Sequence, residues 1–187
     1  KSTRLPLWCK QRGRVLVVEP RRLPCRSLAE YVAGLQGTET GDGVGFSIRF
    51  ESRFSEKSSV VFVTPGIALR WYMNDGFSDF DTVILDEFHE RRWDTDLLAA
   101  LLRGGDKRVV ITSATMEGKK LASFLGGTKL QAQSKLYPVE VQYTDKNSLP
   151  GVKNLENKVA DAARKLLSNK DGGDILVFLP GKGEIQN

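Results

Sequence analysis

The chain has 187 residues, enough for one well-buried domain and part of a second, because domains commonly run about 100 to 200 residues. Hydrophobic residues make up 40% and charged residues 27%, which excludes a disordered, collagen-like or coiled-coil chain. Lys and Arg number 28 against 23 Asp and Glu, so the net charge of +5 favours polyanionic partners without identifying one.

The chain opens on Lys1-Ser2-Thr3, the way the phosphate-binding loop G-x-x-x-x-G-K-[ST] ends. In such a loop the lysine reaches the β- and γ-phosphates and the following hydroxyl ligates Mg²⁺, at a helix N-terminus that favours anions. Taken alone, the same residues also suit a solvated chain end. They lead into a mixed segment with no apolar secretory leader. Cys9 and Cys25 are too few and too far apart for a disulfide framework or a metal cluster, which points to a reducing, cytoplasmic setting.

Val15 to Val18 is the first of several short β-branched runs that read as strands. Glu19-Pro20-Arg21-Arg22 follows it and puts two arginines past a strand end, where they suit bidentate phosphate contact or simply a solvated loop. Leu28, Val32 and Leu35 then form a helical stripe. After the strand Val60 to Val63, Thr64-Pro65-Gly66 sets a hydroxyl before a helix whose first turn accepts Pro, with N–H groups open to a phosphate oxygen.

The run Thr82 to Leu85 ends in Asp86-Glu87, so a strand delivers two carboxylates to the edge of a parallel sheet, where open α/β folds bind ligands. Asp86 suits Mg²⁺, and Glu87 suits the polarisation of an attacking water as general base. An Asp-Glu pair at this point can also cap the next helix. His89 is the only histidine; it lies three residues past Asp86, where it can sense a phosphate or couple to a second domain, and it has no partner at metal-ligand spacing.

Leu97, Leu98, Leu101 and Leu102 mark another helix, and Val109 to Thr112 another strand. That strand runs into Ser113-Ala114-Thr115, whose hydroxyls can cap a helix or hydrogen-bond the Asp86 carboxylate region. The alternation of strands and helices predicts a doubly wound α/β core, a parallel sheet flanked by helices. A polar stretch over 131–135 marks a boundary, with a first domain over residues 1–136 and the start of a second over 137–187. In the second part we expect strands at Val139 to Tyr143 and Ile175 to Leu179 around a helix carrying Leu155, Val159, Ala162, Leu166 and Leu167. That is one βαβ unit, too small to bury a core alone.

Lys1-Ser2-Thr3, Glu19-Pro20-Arg21-Arg22, Thr64-Pro65-Gly66, Asp86-Glu87-Phe88-His89-Glu90-Arg91, Ser113-Ala114-Thr115 and Phe178-Leu179-Pro180-Gly181 resemble, in order, motifs I, Ia, Ib, II, III and IV of superfamily 2 helicases. The set is most similar to the bacterial DEAH-box branch of RNA helicases. The resemblance implies two RecA-like P-loop NTPase domains, with ATP and Mg²⁺ between them and RNA across both. It implies that Lys1, Ser2 and Thr3 bind phosphate, with Ser2 and Asp86 on the metal. Glu87 is then the base, and His89, Ser113 and Thr115 couple nucleotide state to domain movement. Arg21, Arg22, Thr64 and Gly66 meet the RNA backbone from the first domain, and Gly181 from the second. It further implies phosphate-loop glycines before Lys1 and later motifs after residue 187, so that this stretch by itself has little ATPase activity. A scaffold with a decayed ATP site and an ATPase acting on DNA are the competing readings.

Overall fold

The computed structural model describes residues 1–114, 118–132, 137–143, 155–168, 173–179 and 181–186, of which Lys182 and Gln186 are placed by backbone alone. The chain divides into two compact units, Lys1–Ala132 and Gln133–Asn187.

In the first unit, a short helix α1 (Leu5–Cys9) leads to β1 (Val15–Val18), α2 (Arg22–Leu35), β2 (Val44–Ile48), β3 (Glu51–Arg53) and β4 (Val60–Val63). Helix α3 (Pro65–Asp75), β5 (Thr82–Leu85), α4 (Trp93–Leu101), β6 (Arg108–Ile111) and α5 (Gly118–Leu125) follow. The strands form one sheet in the order β3-β2-β4-β1-β5-β6, with β3 antiparallel at one edge and every other pairing parallel.

Strands β1, β4 and β5 are uninterrupted runs such as Val-Leu-Val-Val because helices cover both of their faces, and a doubly covered strand has no polar side to show. On one face Leu16, Val18, Val61, Val63, Val83 and Leu85 pack with Ala68 of α3 and Leu98 and Ala99 of α4. On the other, Val15, Val17, Val44, Phe46, Val60, Phe62 and Ile84 pack with Cys25, Ala29, Val32 and Ala33 of α2. Of the helical stripes read from the sequence, Val32, Leu98 and Leu102 are buried in these faces, Leu28 and Leu101 are half-buried, and Leu35 and Leu97 are exposed.

The register matters most at the carboxyl ends. Val18 lies beside both Val63 and Leu85, and Leu85 beside Ile111, so four strands finish at one level. The ladder continues for one more bond on each: Glu19 N–H to Val63 O (2.9 Å), Asp86 N–H to Val18 O (2.9 Å) and Thr112 N–H to Leu85 O (3.0 Å). Because side chains alternate between faces, Thr64, Glu19, Asp86 and Thr112 form a row across the mouth of the sheet.

In the second unit, α6 (Leu155–Leu167) occupies the expected helix, and α7 (Lys182–Gln186) follows Gly181. The expected strands at 139–143 and 175–179 are not strands in the structure, and among the described residues they pair with no ladder. A β-compatible run becomes a strand only when a neighbour takes its N–H and C=O groups, and one βαβ segment supplies too little sheet.

Candidate active site at the sheet edge

Lys1 to Arg4 make the turn that enters α1, with Leu5 N–H donating to Lys1 O at 3.1 Å. From there the Lys1 ammonium donates to Ser113 O at 2.8 Å, just beyond the end of β6. Ser2 and Thr3 stand half-buried in the same turn. Thr115 lies outside the described residues.

Asp86 is 1% exposed. Its Oδ1 accepts from the Thr112 hydroxyl and from Glu87 N–H (3.0 Å), while its Oδ2 is buried without a hydrogen-bond partner. A buried carboxylate oxygen left unmatched is costly unless a cation or donor completes it. Thr112, whose hydroxyl reaches Asp86, lies one residue ahead of Ser113 and was not among the sequence-derived candidates. The signal for it was position: Thr112 is the first residue past β6, as Asp86 is past β5.

Glu87 adopts a left-handed backbone (φ 49°), as does Arg91 (φ 47°), and a single 3₁₀ turn, Phe88–Glu90, spans the interval. Such a conformation is uncommon for residues other than glycine and clusters at functional sites. The buried Phe88 ring anchors the turn in the core, and Phe88 N–H donates to Thr112 O at 3.0 Å. Glu87 is thereby held half-exposed at the sheet edge. His89 Nδ1 lies 3.2 Å from Glu87 Oε2 and 3.4 Å from Ala114 N. One nitrogen cannot both donate to the carboxylate and accept from the amide, so the imidazole serves one of these partners at a time.

Glu19, absent from the sequence-derived candidates, is almost fully buried in this row. Loss of water around its carboxyl, and secondarily the Asp86 charge, push its pKa up to about 7; the Arg21 N–H opposes the shift, and Glu87 and Glu90 add to it. A concentration of negative charge at one sheet edge calls for a cation.

On the other side of the row, Arg21 N–H points at Glu19 Oε1 (3.4 Å), and its guanidinium pairs with Glu90 at 2.8 Å. Arg22 opens α2 and donates to Arg49 O at 2.5 Å. Thr64 precedes α3 in an extended conformation, its side chain making no capping bond, and the space beside Gly66 is open. Arg49 and Phe50 form the turn between β2 and β3, with φ 72° at Phe50, whose ring is 89% exposed and lies 4.7 Å from the Arg49 guanidinium carbon. The sequence reading did not single out this pair. Gly181 belongs to the second unit, where it precedes α7.

The residues fit Mg²⁺. That ion takes one or two carboxylates, keeps waters and binds substrate phosphates, and Asp86 offers an unmatched buried oxygen for that arrangement. Among the described residues no group of three or more His, Cys, Asp or Glu side chains could hold a metal by protein ligands alone. Nor is any described helix long and apolar enough to cross a membrane.

No protein-family model matches the chain. Among curated proteins it is 34% identical over 198 residues to the ATP-dependent RNA helicase HrpB of Escherichia coli, covering 100% of this chain and 24% of that protein. It is 32% identical over 205 residues to the ATP-dependent RNA helicase HrpA of the same organism, covering 100% of this chain and 15% of HrpA. The crystal structure of the Escherichia coli DEAH/RHA helicase HrpB superimposes with a TM-score of 0.86 at 34% identity, over 100% of this chain and 25% of that one. The chain therefore spans about a quarter or less of these relatives. With a mostly parallel RecA-like sheet, the acidic pair at its edge and full-length similarity to these proteins, the chain belongs to the DEAH-box helicase family.

Proposed function

We propose that the chain is the ATP-binding core of an RNA helicase, coupling hydrolysis of ATP to movement along and unwinding of RNA. One observation carries this reading. Lys1 and Asp86 lie 85 positions apart in the sequence (86 − 1), yet they engage consecutive residues past β6, the ammonium at Ser113 O and the carboxylate at the Thr112 hydroxyl.

A triphosphate entering this edge takes the Lys1 ammonium in place of the Ser113 carbonyl, with Ser2 and Thr3 beside it. Asp86 and Ser2 hold Mg²⁺, which supplies charge neutralisation of the phosphates when bound. Glu87 orients the attacking water and accepts its proton, and His89 reports on that carboxylate to Ser113 past the end of β6, with Thr115 assigned to the same coupling by its motif. Arg21, Arg22, Thr64 and Gly66 line the β1 and β4 ends of the same edge and suit a phosphodiester backbone. Arg49 and Phe50 extend that line, adding a ring on which a base stacks. Residues 137–187 are read as the beginning of a second RecA-like domain, from which Gly181 approaches the strand. Two free thiols support a cytoplasmic protein.

The test is ATP hydrolysis by the full-length protein with single-stranded RNA, with single-stranded DNA and with neither. RNA should raise the rate severalfold. No hydrolysis in any arm returns the scaffold reading, and stimulation by DNA alone replaces the substrate.

A further inference from the structure

We propose that Glu90 is a positioning residue that competes with RNA phosphate for the guanidinium of Arg21, so that strand engagement reaches Glu87 through the Phe88–Glu90 turn. The inference rests on the functional reading above and names the link inside it.

The two partners differ in shelter. The Arg21 side chain is 69% exposed and the Glu90 side chain 23%, at a separation of 2.8 Å. A phosphate arriving from solvent therefore meets the cation first. Bidentate phosphate geometry suits guanidinium as well as carboxylate does, so the two anions exchange on one cation.

Glu90 does not lose that partner without consequence. Glu19 feels the charges of Asp86, Glu87 and Glu90, which places four carboxyl groups in one neighbourhood. The next cations in sequence have carboxylates of their own: Arg91 pairs with Asp96 at 2.9 Å, and Arg92, which also feels the Glu90 charge, with Asp94 at 3.0 Å. With Arg21 drawn to the strand, like-charge repulsion displaces Glu90.

The turn converts that displacement into a movement of the base. Glu90 N–H donates to Glu87 O at 3.0 Å, and Arg91 N–H to Phe88 O at 3.2 Å. Left-handed residues bound the turn at Glu87 and Arg91, while Phe88, its first residue, is pinned in the core. A shift of Glu90 about that pinned ring is carried to Glu87 by the hydrogen bond that joins the two backbones. Arg21 has a second tie, its N–H toward Glu19 Oε1, which keeps the arginine near the row after its side chain lets go.

The test uses the full-length protein, a single-stranded oligouridylate, steady-state ATP hydrolysis and fluorescence anisotropy. Glu90→Gln frees the guanidinium, so RNA should bind about three- to tenfold more tightly while RNA stimulation of kcat falls to about a fifth of its ratio in the parent, with KM for ATP little changed. Arg21→Ala should lose stimulation similarly but bind RNA more weakly. Opposite affinities with a shared loss of stimulation is a pattern that general destabilisation does not produce, and Glu90→Asp should recover part of the coupling. Parent-like RNA affinity and stimulation in Glu90→Gln overturn the inference alone. If that variant unfolds, Arg21→Ala decides by its stimulation ratio, since it changes an exposed side chain; an unchanged ratio overturns the inference equally. A parent protein without RNA stimulation overturns the functional reading and this inference with it.

Discussion

The Lys1 ammonium and the Ser113 carbonyl oxygen, 2.8 Å apart, join the start of the chain to the end of β6. The preceding residue, Thr112, holds Asp86 by its hydroxyl, so the Lys1 ammonium and the buried carboxylate are tied to adjacent links of one backbone.

Glu87 is the half-exposed carboxylate of the acidic pair, and its loss should affect chemistry rather than binding. In the full-length protein, Glu87→Gln should leave ATP binding nearly intact and lower turnover by about 100-fold or more. Single-turnover hydrolysis beside equilibrium nucleotide binding measures both; parent-like turnover removes Glu87 as the base.

Thr112→Val should lower stability by about 1 to 3 kcal/mol, because a buried Asp86 oxygen loses a donor that no solvent replaces. Thr112→Ser retains the hydroxyl and should recover most of that loss. Denaturant midpoints of the three proteins decide it, and equal midpoints for Val and Ser would show that the hydroxyl contributes nothing.

Burial lifts the Glu19 carboxyl to about 7 from its ordinary 4.5, so the folded protein binds a proton there that the unfolded chain has released. Stability therefore falls as pH rises: the Glu19 contribution is fully present below about 4.5 and lost as pH passes about 7, a change on the order of 1 to 3 kcal/mol. Glu19→Gln keeps an acceptor for the Arg21 N–H and cannot ionise. Its melting temperature should fall less than the parent's between pH 5 and pH 8, and parallel curves would contradict the assignment.

Phe50 projects from the β2–β3 turn with 89% of its surface exposed, so the core does not depend on it. Phe50→Ala should leave the melting temperature unchanged and weaken single-stranded RNA binding by about 1 to 3 kcal/mol, the usual worth of one base stacked on an aromatic ring. Anisotropy titrations at fixed salt provide the measurement.

Much of the fold was legible because a strand covered on both faces is written as an unbroken β-branched run, as at Val15–Val18, Val60–Val63 and Thr82–Leu85. Strand β2 escaped notice because Gly45 and Ser47 interrupt its apolar residues. Yet Gly45 is required there: a Cβ would stand 2.4 Å from Arg53 O. Conversely, 139–143 and 175–179 have strand-like composition without a neighbouring ladder, and composition cannot supply one.

The amino-acid order by itself determined the chemical groups, an ammonium followed by hydroxyls and an acidic pair at the end of an apolar run, because local periodicity and residue type are properties of neighbouring positions. Only the tertiary structure decided that Thr112 serves Asp86, that Glu19 is buried beside it and that Arg21 is held by Glu90. Those relationships depend on the register of strands that meet across tens of residues, and a one-residue slip would turn Glu19, Asp86 or Thr112 to the opposite face.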